Sequence, residues 1–143
     1  MTTKVTAPAL ILGATGVVGA KGVRLLRTLH PVLPIAIGAR DQDKCRALAE
    51  EVGNAVAVKP DLSRADLGLG GEKYSAVVAL LKENTLNPLR FAQTHGLPYI
   101  NMADGAFEIG PAVARFVYNP GGAPILLAGH WVVGMTTLPA LFF

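Results

Sequence analysis

Leu10-Ile11-Leu12-Gly13-Ala14-Thr15-Gly16-Val17-Val18-Gly19 is the stretch on which the reading of this chain turns. The run Ala7–Leu12 is apolar and of strand length. The stretch Val17–Leu29 sets Val17, Val18, Val23, Leu25, Leu26 and Leu29 mostly on one broad helical face. Between them lies a G-x-x-G-x-x-G spacing. Gly13 permits a tight turn out of the strand, Gly16 leaves no side chain between the backbone and an anion, and Gly19 lets the helix pack close to the sheet. Unpaired N–H groups and the helix dipole both favour negative charge at that terminus, which suits a dinucleotide pyrophosphate. A glycine triplet can also be a tight turn without a ligand. Its place after an apolar strand and at the opening of a helix points to the dinucleotide. Gly13, Ala14, Thr15, Gly16, Val17, Val18 and Gly19 are therefore the expected pyrophosphate segment. Two roles are open to Thr15, a hydrogen bond to phosphate or support of the turn.

Outward from that turn, strands and helices alternate. Pro31 and Pro34 close the first helix. Ile35–Ile37 reads as the second strand, Gln42–Val52 as a helix stopped by Gly53, and Ala55–Val58 as the third strand. Ser63 looks like the N-cap of a short helix that gives way to Gly68, Gly70 and Gly71. Ala76–Leu81 is the fourth strand. Asn87 is expected to cap a helix with Pro88 in its first turn, running to about His95 and stopped by Gly96. Tyr99–Asn101 is the fifth strand. Residues 104–123 are rich in Gly and Pro around a short helical piece near Val113–Val117. Ile125–Ala128 is the sixth strand, and Met135–Phe143 looks like the start of another helix. This alternation predicts one α/β domain over residues 1–143, a doubly wound, Rossmann-type parallel sheet of about six strands with helices on both faces.

Composition bounds the partners. Of the 143 residues 51% are hydrophobic and 16% charged, and mean hydropathy is +0.41. Gly, Pro or charge interrupts every apolar run before it reaches bilayer length, so no membrane span is expected. Buried parallel strands, and surface that meets another domain or a second copy in a homo-oligomer, account for the hydropathy. The net charge of +3 is scattered along the chain, with no basic stripe for nucleic acid. Cys45 is the only cysteine, which excludes an internal disulfide and a cysteine-rich zinc cluster and suits a reducing cytoplasm. Lys4 followed by Ala7–Leu12 imitates a signal peptide, but the glycines and the charged helix that follow favour a strand.

The end of the second strand bears on which dinucleotide is bound. NAD-binding domains commonly place an acidic residue there, on the ribose hydroxyls. Here the sequence is Ile37-Gly38-Ala39-Arg40-Asp41. A small residue leaves room for a 2′-phosphate and a guanidinium can pair with it in two-pronged fashion, so NADP(H) is expected over NAD(H), with Gly38, Ala39 and Arg40 as contacts. Asp41 has two readings, a helix N-cap or, with a shifted register, a ribose contact. Lys44 is either a phosphate partner or a solvated helix lysine. Asp61 and Leu62 follow the third strand, where such folds contact adenine, although Asp61 also reads as a turn residue after Pro60. Leu81 and Asn84, in the loop after the fourth strand, are expected beside the ribose and nicotinamide. Asn84 and Thr85 read equally as loop and helix-capping residues.

Gly13-Ala14-Thr15-Gly16-Val17-Val18-Gly19, Ile37-Gly38-Ala39-Arg40 and His95-Gly96-Leu97-Pro98-Tyr99-Ile100-Asn101 together resemble the NADP-binding domain of the saccharopine dehydrogenase-like family, over nearly the whole chain. The resemblance implies an oxidoreductase that transfers hydride, with substrate contacts from a second, C-terminal domain after the sixth strand. On that reading the chain is the N-terminal part of a longer enzyme, and Gly129–Gly134 lies near the nicotinamide. Asn101-Met102-Ala103-Asp104 departs from the acidic loop common in the family, so no catalytic role is carried onto it.

The catalytic residues stay unassigned. Lys82, Asp104 and His130 fall near strand ends where a proton donor would sit. Each also has a plain role, as a solvated loop lysine, a turn residue beside Gly105 and a packing partner of Trp131. No Tyr stands four residues before a Lys, Cys45 is misplaced for a semialdehyde-type nucleophile, no spacing suggests a metal site, and no G-x-S-x-G occurs. A non-catalytic nucleotide sensor or interaction module is the alternative function, and a domain retained only for assembly is a third.

Overall fold

Six apolar stretches of the sequence become six parallel strands in the computed structural model, which describes residues 7–82, 84–102 and 106–127, the side chains of 106–108 excepted. The strands are β1 (Ala9–Leu12), β2 (Ile35–Gly38), β3 (Ala55–Val58), β4 (Ala76–Ala79), β5 (Tyr99–Asn101) and β6 (Ile125–Leu127). They form one sheet in the order β3-β2-β1-β4-β5-β6. β1 sits at its centre, with Leu10 opposite Ala36 of β2 and Val77 of β4. This is the expected doubly wound α/β architecture.

Alternation along each strand sends side chains to two separate cores. Ile11, Ile35 and Ile37 pack with Val23 of α1 (Val17–Leu29) and with Cys45, Leu48 and Ala49 of α2 (Gln42–Val52). Leu10, Leu12, Val77 and Tyr99 pack on the opposite face with Leu89, Phe91 and Ala92 of α3 (Asn87–Thr94) and Ala112 of α4 (Ala106–Val117). Leu10, Leu12, Ile35 and Ile37 are fully buried, and each such burial contributes about 1.5–3 kcal/mol. The Arg27 guanidinium gathers the loose carbonyls where α1 and α2 end, donating to His30, Pro31 and Leu33 and to Val52, Gly53 and Asn54.

Five local expectations are corrected. β1 begins at Ala9, not Ala7, because Pro8 has no N–H for the ladder and instead accepts from the Ser75 N–H at 2.9 Å. β4 ends at Ala79, two residues early; Leu80 still donates to the Leu12 carbonyl before the chain turns away. No helix follows Ser63. Its N–H and hydroxyl donate to the Asp61 carboxylate at 2.9 and 2.6 Å, and Asp66 accepts from Gly68, so carboxylates close turns where a helix was expected. Asn87 does not cap α3 but is its first residue, and the N-cap is Leu86, in a left-handed conformation with φ +57°. α4 is 12 residues long and passes through Pro111. Ile109, Ala112, Val113 and Phe116 repeat at helical spacing, and that pattern overrides the Gly110-Pro111 stop signal. The expected helix at Met135–Phe143, and Ala128 of the sixth strand, lie outside the described residues.

Candidate functional site

The strand order reverses direction at β1: the chain winds outward from it through β2 and β3, then resumes on its other side with β4. In open α/β sheets, the crevice outside the carboxyl ends of the strands at such a point is where ligands bind. A cleft of about 580 Å³ lies there, lined by Gly13, Thr15 and Gly16 after β1, Gly38 to Asp41 and Lys44 after β2, Pro60 and Leu62 after β3, and Leu80 to Lys82 after β4.

Its floor is the glycine turn. Gly13 has φ +77°, and a Cβ there would stand 2.9 Å from the Leu81 Cβ. The Gly13 N–H donates to the Gly38 carbonyl at 2.9 Å, and the Gly16 N–H donates to the Gly13 carbonyl at 3.1 Å. Gly16 is the N-cap of α1, extended at φ −71°, and no side chain caps the helix. The N–H groups of Val17, Val18 and Gly19 therefore lack intrahelical acceptors at the mouth of the cleft. A Cβ on Gly19 would fall 2.2 Å from the Gly13 carbonyl oxygen, so this glycine is what allows the helix to start so close to the turn. Ala14 is fully buried beneath the turn, and the Val17 and Val18 side chains are exposed, leaving only their backbone to serve the cleft.

The β2 side carries the charge. Among the described residues Arg40 is exposed and forms no ion pair. Asp41 caps α2, accepting from the Lys44 N–H at 3.1 Å, and its carboxylate lies 3.3 Å from the Lys44 ammonium. The Lys44 N–H, and then its ammonium, hold the Asp41 pKa below the ordinary carboxylate value. The N-cap reading of Asp41 therefore stands. Gly38 is not simply an empty space for a phosphate. A Cβ there would come 3.1 Å from Leu12 Cδ2 and 3.3 Å from Pro60 Cγ, so its smallness is first a packing requirement between β1 and the loop after β3. The Ala39 carbonyl is fixed by Gln42, whose amide also donates to Val58 of β3.

Leu62 lines the opposite wall and Asp61 does not; the Asp61 carboxylate turns to Ser63, whose hydroxyl and N–H hold its pKa down. Leu81 lines the cleft, while Asn84 is exposed and does not. Pro60 is a lining residue for which sequence reasoning gave no role, its signal being its position directly after β3, while Leu80 lines the cleft with the loop after β4 in which it was expected. Asp104 and His130 lie outside the described residues. Cys45 sits on the buried face of α2, where burial pushes its thiol pKa up. The groups present fit a dinucleotide: an uncapped helix terminus behind a side-chain-free glycine, an unpaired guanidinium one strand away, and apolar walls from Pro60, Leu62 and Leu81.

No protein-family profile and no curated protein matches the sequence. Solved structures share its fold. Saccharopine dehydrogenase (L-Glu forming) from Saccharomyces cerevisiae aligns with a TM-score of 0.64 at 19% identity, over 86% of this chain and 27% of that one. myo-Inositol 2-dehydrogenase from Lactobacillus plantarum gives 0.63 at 16% identity, over 85% and 35%. Yeast methylglyoxal/isovaleraldehyde reductase complexed with NADPH gives 0.61 at 17% identity, over 84% and 52%. The chain thus spans 27 to 52% of the length of these three structures.

Proposed function

We propose that this chain is the NADP(H)-binding domain of an oxidoreductase similar to the saccharopine dehydrogenases. The observation that carries the reading is one cleft at the carboxyl ends of β1, β2, β3 and β4 that joins an uncapped helix N-terminus to an unpaired Arg40. In this assignment the turn Gly13–Gly19 receives the pyrophosphate through its backbone, Arg40 takes the 2′-phosphate, Pro60 and Leu62 face the adenine, and Leu81 lies toward the ribose and nicotinamide. The dinucleotide supplies the hydride; the residues of this chain bind and orient it. Substrate contacts are assigned to a further domain, because the similar dehydrogenase structures extend well past the matched part.

Titration of NADPH and NADH against the wild type and Arg40→Ala tests this. The wild type should prefer NADPH by about tenfold or more, as expected for one charge-assisted phosphate pair, and Arg40→Ala should remove most of that preference. Equal wild-type affinities for the two cofactors would reject the phosphate pairing. A second reading is a non-catalytic nucleotide sensor: among the described residues lining the cleft the one acidic side chain, Asp41, is engaged in capping α2, which leaves Lys82 as the proton-donor candidate there. Turnover of the intact protein with NADPH and carbonyl or imine substrates separates the two readings.

A further inference from the structure

Two loops form neighbouring walls of the cleft. The one after β3 carries Pro60 and Leu62, and the one after β4 carries Leu80, Leu81 and Lys82. They meet at the carbonyl oxygen of Leu62. The Thr85 hydroxyl donates to it at 3.2 Å and the Asn87 side-chain amide donates to it at 2.9 Å. The same Thr85 hydroxyl accepts the Asn87 backbone N–H at 3.1 Å. Both lone pairs of the Leu62 carbonyl are thus engaged from one side. Asn87 is one of two buried polar residues among those described, at 6% exposure, and its side chain reaches across 25 positions of sequence to make this contact. Between the two donors stands Leu86, left-handed at φ +57°. For a leucine that conformation is unfavourable, and strained residues of this kind persist where the surroundings hold them.

We infer that Thr85 and Asn87 are positioning residues that latch the Leu62 wall and so set the width of the adenine side of the cleft. Neither side chain lines the cleft, so the pair acts through Leu62. The inference rests on the dinucleotide reading of the cleft. A backbone carbonyl held by two donors cannot swing its residue outward, so the apolar wall opposite Arg40 is fixed before a ligand arrives. Preorganisation of this kind raises affinity by removing an ordering cost at binding.

The test uses 2′,5′-ADP, which carries the adenine and the 2′-phosphate but no nicotinamide, alongside NADPH, with melting midpoints measured on the same samples. Thr85→Val keeps the shape of threonine and removes the hydroxyl; Asn87→Asp keeps the shape of asparagine and replaces the donor with an acceptor. Each should weaken 2′,5′-ADP about five- to tenfold, whereas Thr85→Ser, which retains the hydroxyl, should stay within about twofold of wild type. Thr85 is exposed, so Thr85→Val carries the test if Asn87→Asp fails to fold. Wild-type affinity in Thr85→Val, or a loss in Thr85→Ser as large as in Thr85→Val, would overturn the latch while leaving the cleft's assignment intact. A lowered melting midpoint with unchanged 2′,5′-ADP affinity would make the contacts structural only. If the wild type binds neither ligand, the dinucleotide reading falls and the latch falls with it.

Discussion

One added methyl group separates two glycines of the turn, Gly19 and Gly16, into different kinds of necessity. At Gly19 it would sit 2.2 Å from a backbone carbonyl oxygen, which cannot move without displacing the turn. Gly19→Ala should therefore cost at least about 2 kcal/mol of stability, seen as a lowered urea midpoint. At Gly16 the near neighbour among the described residues is the same Gly13 carbonyl oxygen, at a tight 3.3 Å rather than 2.2 Å, and φ −71° suits any residue. Gly16→Ala should lower the urea midpoint less than Gly19→Ala does, yet weaken NADPH about tenfold or more, because on the proposed assignment its Cβ would stand where the phosphates approach the N–H groups. A Gly16→Ala protein that bound NADPH like wild type would take the pyrophosphate away from this turn. The close packing at Gly19 was legible in the sequence because the spacing of glycines reports backbone needs. The role of Gly38 was only half legible: nothing in the sequence reveals that Leu12 and Pro60 crowd its missing side chain.

At the scale of elements, α1, α2, β3 and β5 have the bounds that periodicity and flanking Gly or Pro predict. Two of the misplacements, after Ser63 and at Asn87, share a cause. Short polar side chains that look like helix caps can satisfy other backbone groups, as Asp61 and Asp66 do after β3, and only tertiary packing decides between the options. The cap of α2 offers a direct measurement. The folded pKa of Asp41 is lowered by the Lys44 N–H and then by its ammonium. Its contribution is therefore fully present above the ordinary carboxylate pKa of about 4 and is lost as pH falls through the lower folded value. Asp41→Asn retains a cap and does not titrate. The advantage of wild type over Asp41→Asn in melting midpoint should be present at neutral pH and shrink in acid. An advantage of the same size at both ends would show that the carboxylate charge is not coupled to α2.

At the scale of the molecule, ligand binding should appear as stability, because the cleft draws on loops from four of the six strands. NADPH at a hundred times its Kd should add about 2.7 kcal/mol, a rise of about 5–10 °C in melting midpoint for a domain this size. NADH at the same concentration should add clearly less, and an equal rise would remove the selectivity assigned to Arg40. No helix among the described residues is long and apolar enough to cross a membrane. The winding that creates the cleft was readable from the alternation of strands and helices, whereas the joining of its walls through Leu62 was not, since those contacts span more than twenty positions of sequence.

The crowding around Gly38 also limits how this protein could be redesigned. The usual way to turn such a cleft toward NAD is an acidic residue at the end of the second strand. Here the Cβ of that side chain would crowd Leu12 and Pro60 at 3.1 and 3.3 Å, so the strand end would have to shift to admit it. The same residue's carbonyl anchors the Gly13 N–H. A larger residue at Gly38 would therefore disturb the glycine turn as well as the strand end. Redesign has to proceed two residues later, at Arg40, where the chain has left the sheet and the side chain meets solvent, since Ala39 is half-buried against the core beneath α2.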